Sequence, residues 1–76
     1  MKTIIVDFKN TDPDGRIKLN TAGSLICIKE KGIELFEGKR VRLDDEESLR
    51  NTGTLTFSKE ENIWVATIEP DSYIHY

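Results

Sequence analysis

Apolar and polar positions alternate over two stretches near the start of the chain, residues 3–9 and residues 16–20. Alternation of this kind is typical of a strand with one buried face. Residues 12–15, Asp-Pro-Asp-Gly, separate the two stretches and place proline and glycine where a type I turn takes them. The pattern predicts an N-terminal β-hairpin. Its inward positions are Ile4, Val6, Phe8, Ile17 and Leu19.

The next segment, residues 22–31, is predicted to form one short helix. Thr21 or Ser24 is suited to cap its N-terminus, because either hydroxyl can accept a hydrogen bond from a free backbone N–H. Gly32 follows as a C-terminal stop.

The apolar residues of this segment leave a second interpretation open. On a helix, Leu25 and Ile28, with Ile26 beside them, would form the buried stripe. The same run of four apolar residues, 25–28, is also compatible with a buried strand, since periodicity does not distinguish the two over so short a stretch. The capping residues favour the helix.

Three further strands are predicted in the second half of the chain, over residues 39–44, 54–58 and 63–69. A polar connection joins the first two, and residues 71–76 form either a single helical turn or a last short strand. The shared inward parity of five side chains predicts the core. These are Val41, Leu43, Leu55, Phe57 and Ile68.

The order of strands from residue 38 onward resembles that of SH3-like small β-barrels. The resemblance rests on three patterns, Gly38-x-x-Val41-x-Leu43, Gly53-Thr54-Leu55-x-Phe57 and Trp64-Val65-Ala66-x-Ile68, and covers about half the chain. It implies a fold whose members mostly bind peptides, nucleic acid or other proteins without catalysis. We therefore expect a single mainly-β domain over residues 1–76, a small antiparallel barrel with the N-terminal hairpin and the short helix; whether the barrel closes stays open.

Composition narrows the setting of this domain. The 76 residues are 37% hydrophobic and 33% charged, with one cysteine. No apolar run exceeds four residues, whereas a bilayer-spanning helix needs about 20. One cysteine allows no disulfide within the chain, and the N-terminus has no hydrophobic signal region. We expect a cytoplasmic protein with no membrane partner.

One segment is similar to the opening of an EF-hand calcium loop. Asn10, Asp12 and Asp14 alternate before Gly15, as oxygen ligands do in such loops. The twelfth position, which should carry a bidentate glutamate, is Thr21, and the flanking residues are predicted strands. The sequence therefore predicts a hairpin turn and no metal site.

No other motif indicates catalysis or a cofactor. Cys27 lies in an apolar run and is expected to be buried, and His75 is the penultimate residue, so the two are a poor nucleophile–base pair. The carboxylates of residues 44–47 follow one another and diverge into water. The five glycines are dispersed and form no phosphate-binding loop. We expect a non-enzymatic protein without catalytic residues, metal or cofactor.

Aromatic side chains in the acidic half supply the preferred binding surface. Residues 44–76 carry eight acidic and two basic side chains, and Trp64, Tyr73 and Tyr76 lie among them. The SH3-like resemblance implies a peptide groove there that favours basic or proline-rich ligands. For Trp64 itself, core packing with Ala66 and Ile68 is the favoured interpretation, and a place at the surface is left open. On this view the protein is an interaction module or accessory protein whose partner is another protein.

Basic side chains supply an alternative surface of a different class. Residues 1–43 carry nine basic and six acidic side chains, and the outward cations of two strands suit a phosphate backbone. They are Arg16, Lys18, Arg40 and Arg42. A sequence pI near 5.1 disfavours nucleic acid as the partner. A nucleic-acid-associated barrel is therefore the second hypothesis.

Overall fold

Six strands and one helix make up the part of the chain that the computed structural model describes, residues 1–71 and 74–75. In chain order they are β1 (Thr3–Ile5), β2 (Ile17–Lys18), α1 (Ala22–Glu30), β3 (Arg40–Asp44), β4 (Leu49–Ser58), β5 (Ile63–Ile68) and β6 (Ile74–His75). Within these residues, no helix is both long and apolar enough to cross a membrane.

The strands form one curled sheet, a half-barrel, in the order β1-β3-β4-β5-β2. β6 pairs with the beginning of β4, so residues 74–75 form a strand, which is one of the two alternatives predicted for this segment. β1 and β3 are parallel, whereas the other neighbouring strands are antiparallel. The mainly-β fold with one short helix is confirmed, but the sheet is mixed and not wholly antiparallel.

The N-terminal hairpin is shorter than predicted. The turn is present, and residues 10–12 pair with residues 16–18 on either side of it. The chain before it does not join this hairpin, because Asp7 ends β1: its side chain accepts a hydrogen bond from Lys9 N and its carbonyl accepts one from Asn10 N. β1 instead pairs with β3, some 40 residues further along the chain.

Helix α1 begins and ends where the capping residues predict. Thr21 is the N-cap, and its Oγ1 accepts a hydrogen bond from Ser24 N at 3.1 Å. Gly32, just beyond the helix, has a φ of 61°, the left-handed conformation that ends many helices. The helical interpretation of residues 22–31 is therefore confirmed, and the strand alternative is wrong.

The buried face of α1 differs from the predicted apolar stripe. Ser24 and Cys27 face the sheet, whereas Leu25 and Ile26 are 55% and 54% exposed. The reason is that α1 lies along the edge of β1 that faces away from β3. Small side chains with a hydroxyl or a thiol can reach the backbone carbonyls that point out from this edge. Ser24 Oγ donates to Ile5 O at 2.6 Å, and Cys27 Sγ donates to the carbonyl of β1's first residue at 3.4 Å. The predicted burial of Cys27 is confirmed.

The connection between β3 and β4 is much shorter than the predicted polar stretch over residues 44–53. Asp45 Oδ1 accepts hydrogen bonds from the backbone N–H groups of Glu47, Ser48 and Leu49, at 2.9 to 3.0 Å. These bonds hold the pKa of Asp45 below its usual value and close the turn within four residues. β4 therefore starts at Leu49 and is the longest strand described.

The core lies on one face of the curled sheet, and Ile28 of α1 packs against it partly buried. Val41, Leu43 and Leu55 are fully buried in it, as predicted, and Ile68 packs against it partly buried. Phe57 is half-buried and lies outside this cluster, so its assignment to the core is wrong. The buried cluster consists of Ile4, Val6, Ile17, Leu19, Ile33, Val41, Leu43, Leu55 and Ala66.

Two positions on the core face of β4 carry no apolar side chain. Gly53 lies in mid-strand, where an added Cβ would come within 2.8 Å of Leu43 Cδ1. Only glycine fits there without displacing a neighbour. Asn51 is 2% exposed, and neither Nδ2 nor Oδ1 of its amide has a hydrogen-bond partner in the described part of the chain. Such a group is rare, since buried polar atoms are normally paired.

Candidate functional site

An apolar groove of about 280 Å³ lies between α1 and the hairpin formed by β4 and β5. Seven of its nine lining side chains are apolar and the other two are amides. They are Leu19, Asn20, Leu25, Ile28, Leu35, Phe57, Asn62, Ile63 and Trp64. Concave apolar surfaces with a few polar groups are the usual form of binding sites in proteins.

Trp64 forms one wall of the groove together with Phe57. The two residues are opposite each other in the register of β4 and β5, and their ring centroids are 5.4 Å apart at an interplanar angle of 72°. This edge-to-face arrangement is favourable for aromatic pairs and fixes the indole orientation. Trp64 also packs against the core while remaining half-buried. It therefore has both of the roles that the sequence left open, core packing and a place at a surface groove.

The opposite wall comes from α1. Leu25 is 55% exposed and lines the groove, with Ile28 half-buried beside it. Leu25 is exposed because Ser24 and Cys27 occupy the face of α1 that is held to β1. The hydrogen bonds that fix the helix on the sheet edge thus turn a large apolar side chain towards the groove.

The carboxylate of Glu37 is held next to the groove residue Phe57 by hydrogen bonds. Glu37 Oε1 accepts hydrogen bonds from Thr56 Oγ1 at 3.1 Å and from Phe57 N at 3.2 Å. These bonds, with the charge of Lys59 as a smaller contribution, hold the pKa of Glu37 below its usual value. The carboxylate therefore holds the segment that follows α1 against the C-terminal end of β4.

The three predicted aromatic residues have different outcomes. Trp64 lies in the groove, as described above. Tyr73 and Tyr76 lie outside the described residues. Leu25 and Ile63 line the groove although the sequence pattern did not indicate it, because the pattern places Leu25 on the buried stripe of the helix and Ile63 only within a strand.

The four predicted basic residues do not lie on neighbouring strands. Arg16 and Lys18 are at β2, Arg40 and Arg42 are on β3, and both β4 and β5 separate these strands in the sheet. Carboxylates neutralise three of the four cations. The pairs are Arg16–Asp12 at 2.7 Å, Lys18–Glu61 at 3.2 Å and Arg40–Glu69 at 2.7 Å.

The segment that is similar to a calcium loop has its key carboxylate engaged in the turn. Asp12 Oδ1 accepts hydrogen bonds from Asp14 N and Arg16 N, and Oδ2 accepts one from Arg16 Nε at 2.7 Å. Burial raises the pKa of Asp12, but the hydrogen bonds and charge of Arg16 outweigh it and lower the pKa overall. The predicted turn is confirmed.

Asp12 should make stability depend on pH. Because its pKa is lower in the folded than in the unfolded chain, its contribution is present above about pH 4 and is lost as pH falls through the folded-state pKa. We expect Asp12→Asn to destabilise the protein at pH 7 and the difference from wild type to shrink in acid, measured by urea unfolding at several pH values. Asp14→Asn is the control, since that exposed carboxylate is 3.7 Å from the same guanidinium. Equal effects of both changes, or a difference that persists in acid, would contradict this assignment.

The structure describes the side chain of only one of the two residues considered for catalysis. The Cys27 thiol is buried and bonded to a backbone carbonyl. His75 lies in β6, paired through its backbone with Leu49, and its side chain is outside the described part of the structure. Among the described residues, no three His, Cys, Asp or Glu side chains converge in a way that could hold a metal ion.

No protein-family model, curated protein or solved structure matches this chain.

Proposed function

We propose that this chain is a small protein-interaction domain that binds a partner protein through the groove between α1 and the β4–β5 hairpin. The observation that carries the proposal is the exposure of Leu25 beside the half-buried Trp64. A large apolar side chain next to an apolar concavity gains stability when a partner covers both. Tryptophan in such a setting is among the residues that most often dominate binding energy.

The half-barrel is the second support for this proposal. It is compatible with the small-barrel resemblance of residues 38–76, and the binding role that this resemblance implies is an analogy of fold. We accordingly propose an SH3-like interaction module with no catalytic role. The groove described here uses the end of the β4–β5 hairpin and the helix, an element that a minimal barrel of this kind lacks.

Two neighbouring residues of α1 give a matched test. Leu25 and Ile26 have nearly equal exposure, but only Leu25 lines the groove. We expect a tagged wild-type chain and the Ile26→Ser variant to retain a common protein from extracts of the native cell. Leu25→Ser should retain it at least about tenfold less well, the equivalent of about 1.4 kcal/mol. The retained proteins are identified by mass spectrometry, and circular dichroism checks that both variants are folded.

Two results of this experiment would contradict the proposed site. If both serine variants lose the partner equally, the exposed helix as a whole and not the groove carries binding. If neither variant loses it, the partner binds elsewhere on the domain.

The nucleic-acid alternative has weaker support. Three of its four cations are in ion pairs, and the two strands that carry them are not neighbours in the sheet. Titration with a short oligonucleotide at low salt tests it directly. Saturable binding that weakens steeply with salt and is reduced by replacing Arg40 and Arg42 with alanine would favour this alternative over the groove.

A further inference from the structure

We infer that the groove accepts an uncharged, bulky apolar side chain carried on a peptide backbone, and that it rejects basic side chains. This inference rests on the proposed function and specifies which partner segment the groove takes. It also departs from the preference for basic or proline-rich ligands that the SH3-like resemblance implies.

The first argument is the absence of charge from the groove itself. None of its nine lining residues carries a charge. A cationic side chain placed among Leu25, Trp64 and their neighbours would lose its hydration with no carboxylate in the lining to compensate it. An aliphatic or aromatic side chain has no such penalty and gains from the same burial.

The second argument is that a carboxylate next to the groove already has a cation as its partner. Four charged residues adjoin lining residues in the sequence, and they comprise two cations and two carboxylates. They are Lys18, Lys29, Glu34 and Glu61. Two of them already form a pair, with Lys18 Nζ 3.2 Å from Glu61 Oε1. The charge of Glu61 is therefore already balanced by Lys18 and attracts a basic partner less strongly.

A further carboxylate near the groove, that of Glu37, is also engaged. Glu37 is held by two hydrogen bonds from β4, one of them from the backbone of the groove residue Phe57. Turning it towards a cationic ligand would break both of these bonds. The groove thus matches a neutral ligand in charge, which is the complementarity expected at a specific interface.

The amides and the size of the groove indicate how such a ligand would be presented. Asn20 and Asn62 are its two polar lining residues, and a carboxamide can pair with both the N–H and the C=O of a peptide unit. Asn20 Oδ1 accepts a hydrogen bond from Asn10 Nδ2 at 2.8 Å, which orients this amide. A volume of about 280 Å³ is near the lower end of the range for ligand sites, roughly 300 Å³, and suits one or two side chains.

Three small probes test this chemistry on the whole chain. They are N-acetylphenylalaninamide, N-acetylargininamide and N-acetylglycinamide, which share one backbone and differ only in the side chain. Binding is followed by the backbone amide shifts of the ¹⁵N-labelled protein. We expect the phenylalanine probe to give saturable shifts at Leu25, Asn62 and Trp64, and the other two probes to bind at least about tenfold more weakly. Raising the salt concentration should leave the binding of the phenylalanine probe unchanged.

Variants and outcomes separate this inference from the proposed function. Leu25→Ser should weaken binding of the phenylalanine probe, and Ile26→Ser should not. Tighter binding of the arginine probe, or equal binding of all three, would overturn the inference. If the partner captured from extracts is lost with Leu25→Ser while the phenylalanine probe fails to bind, the proposed function stands and the inference is wrong.

Discussion

Replacing Leu55 with alanine should destabilise the protein by about 2–5 kcal/mol. Leu55 is fully buried near the middle of β4 and lies opposite Ala66, whose small side chain cannot fill the space that would be left. Domains typically have a total stability of only about 5–15 kcal/mol, so the loss is a large fraction of what a chain of this size has. Urea unfolding followed by the fluorescence of Trp64, the only tryptophan, measures it.

Phe57→Ala is the comparison for this prediction. Phe57 is half-buried at the groove, outside the core cluster, so its truncation should cost less than that of Leu55 although it removes more atoms. Two results would contradict this assignment of the core, which includes Leu55 and excludes Phe57. They are a Leu55→Ala variant that unfolds at the same urea concentration as wild type, and a Phe57→Ala variant that is destabilised more than Leu55→Ala.

The parity of the strands was predictable because it is a local property. In β3, the side chains of Val41 and Leu43 alternate with charged ones, and a slip of one residue would expose both to water. Partner choice is not local in this way. Nothing in residues 3–9 distinguishes pairing with the next alternating segment from parallel pairing with β3, which is why the predicted hairpin was too long.

The orientation of α1 could not be derived from hydrophobicity alone. That criterion places Leu25 and Ile26 in the core ahead of Ser24 and Cys27. In the structure, the two smaller side chains are buried because they donate hydrogen bonds to carbonyls on the edge of β1. The sequence contains no sign of this edge until the strand order is known.

The candidate site depends on the same long-range information. Trp64 could be singled out from the sequence, but its groove partners Leu25 and Leu35 come from segments about 30 to 40 residues away. Conversely, the alternation of residues was enough to predict that the cations on β2 and β3 point outward. It could not predict that β4 and β5 lie between these two strands in the sheet. Single residues were therefore easier to predict than the surfaces they form.

Asn51 is a buried residue of β4 whose polar side chain is expected to lower the stability of the folded protein. Its amide is 2% exposed in a strand beside fully buried Leu43, and neither polar atom is bonded within the described residues. Leaving a buried polar group unpaired costs about 1–3 kcal/mol. A side chain of similar shape without polar atoms avoids that penalty, which makes leucine, with the same number of heavy atoms, the informative replacement.

We therefore expect Asn51→Leu to stabilise the protein by about 1–3 kcal/mol and Asn51→Asp to destabilise it by on the order of 3 kcal/mol at pH 7. The introduced carboxyl would be buried without a partner, so its pKa in the folded chain would lie above the unfolded value of about 3.9. Its penalty should consequently be small below about pH 4 and grow as pH rises towards that raised pKa. Urea unfolding of both variants between acid and neutral pH measures these changes. A loss of stability with leucine would show that the amide makes a favourable hydrogen bond in the folded protein, and a pH-independent loss with aspartate would show that the site is open to solvent.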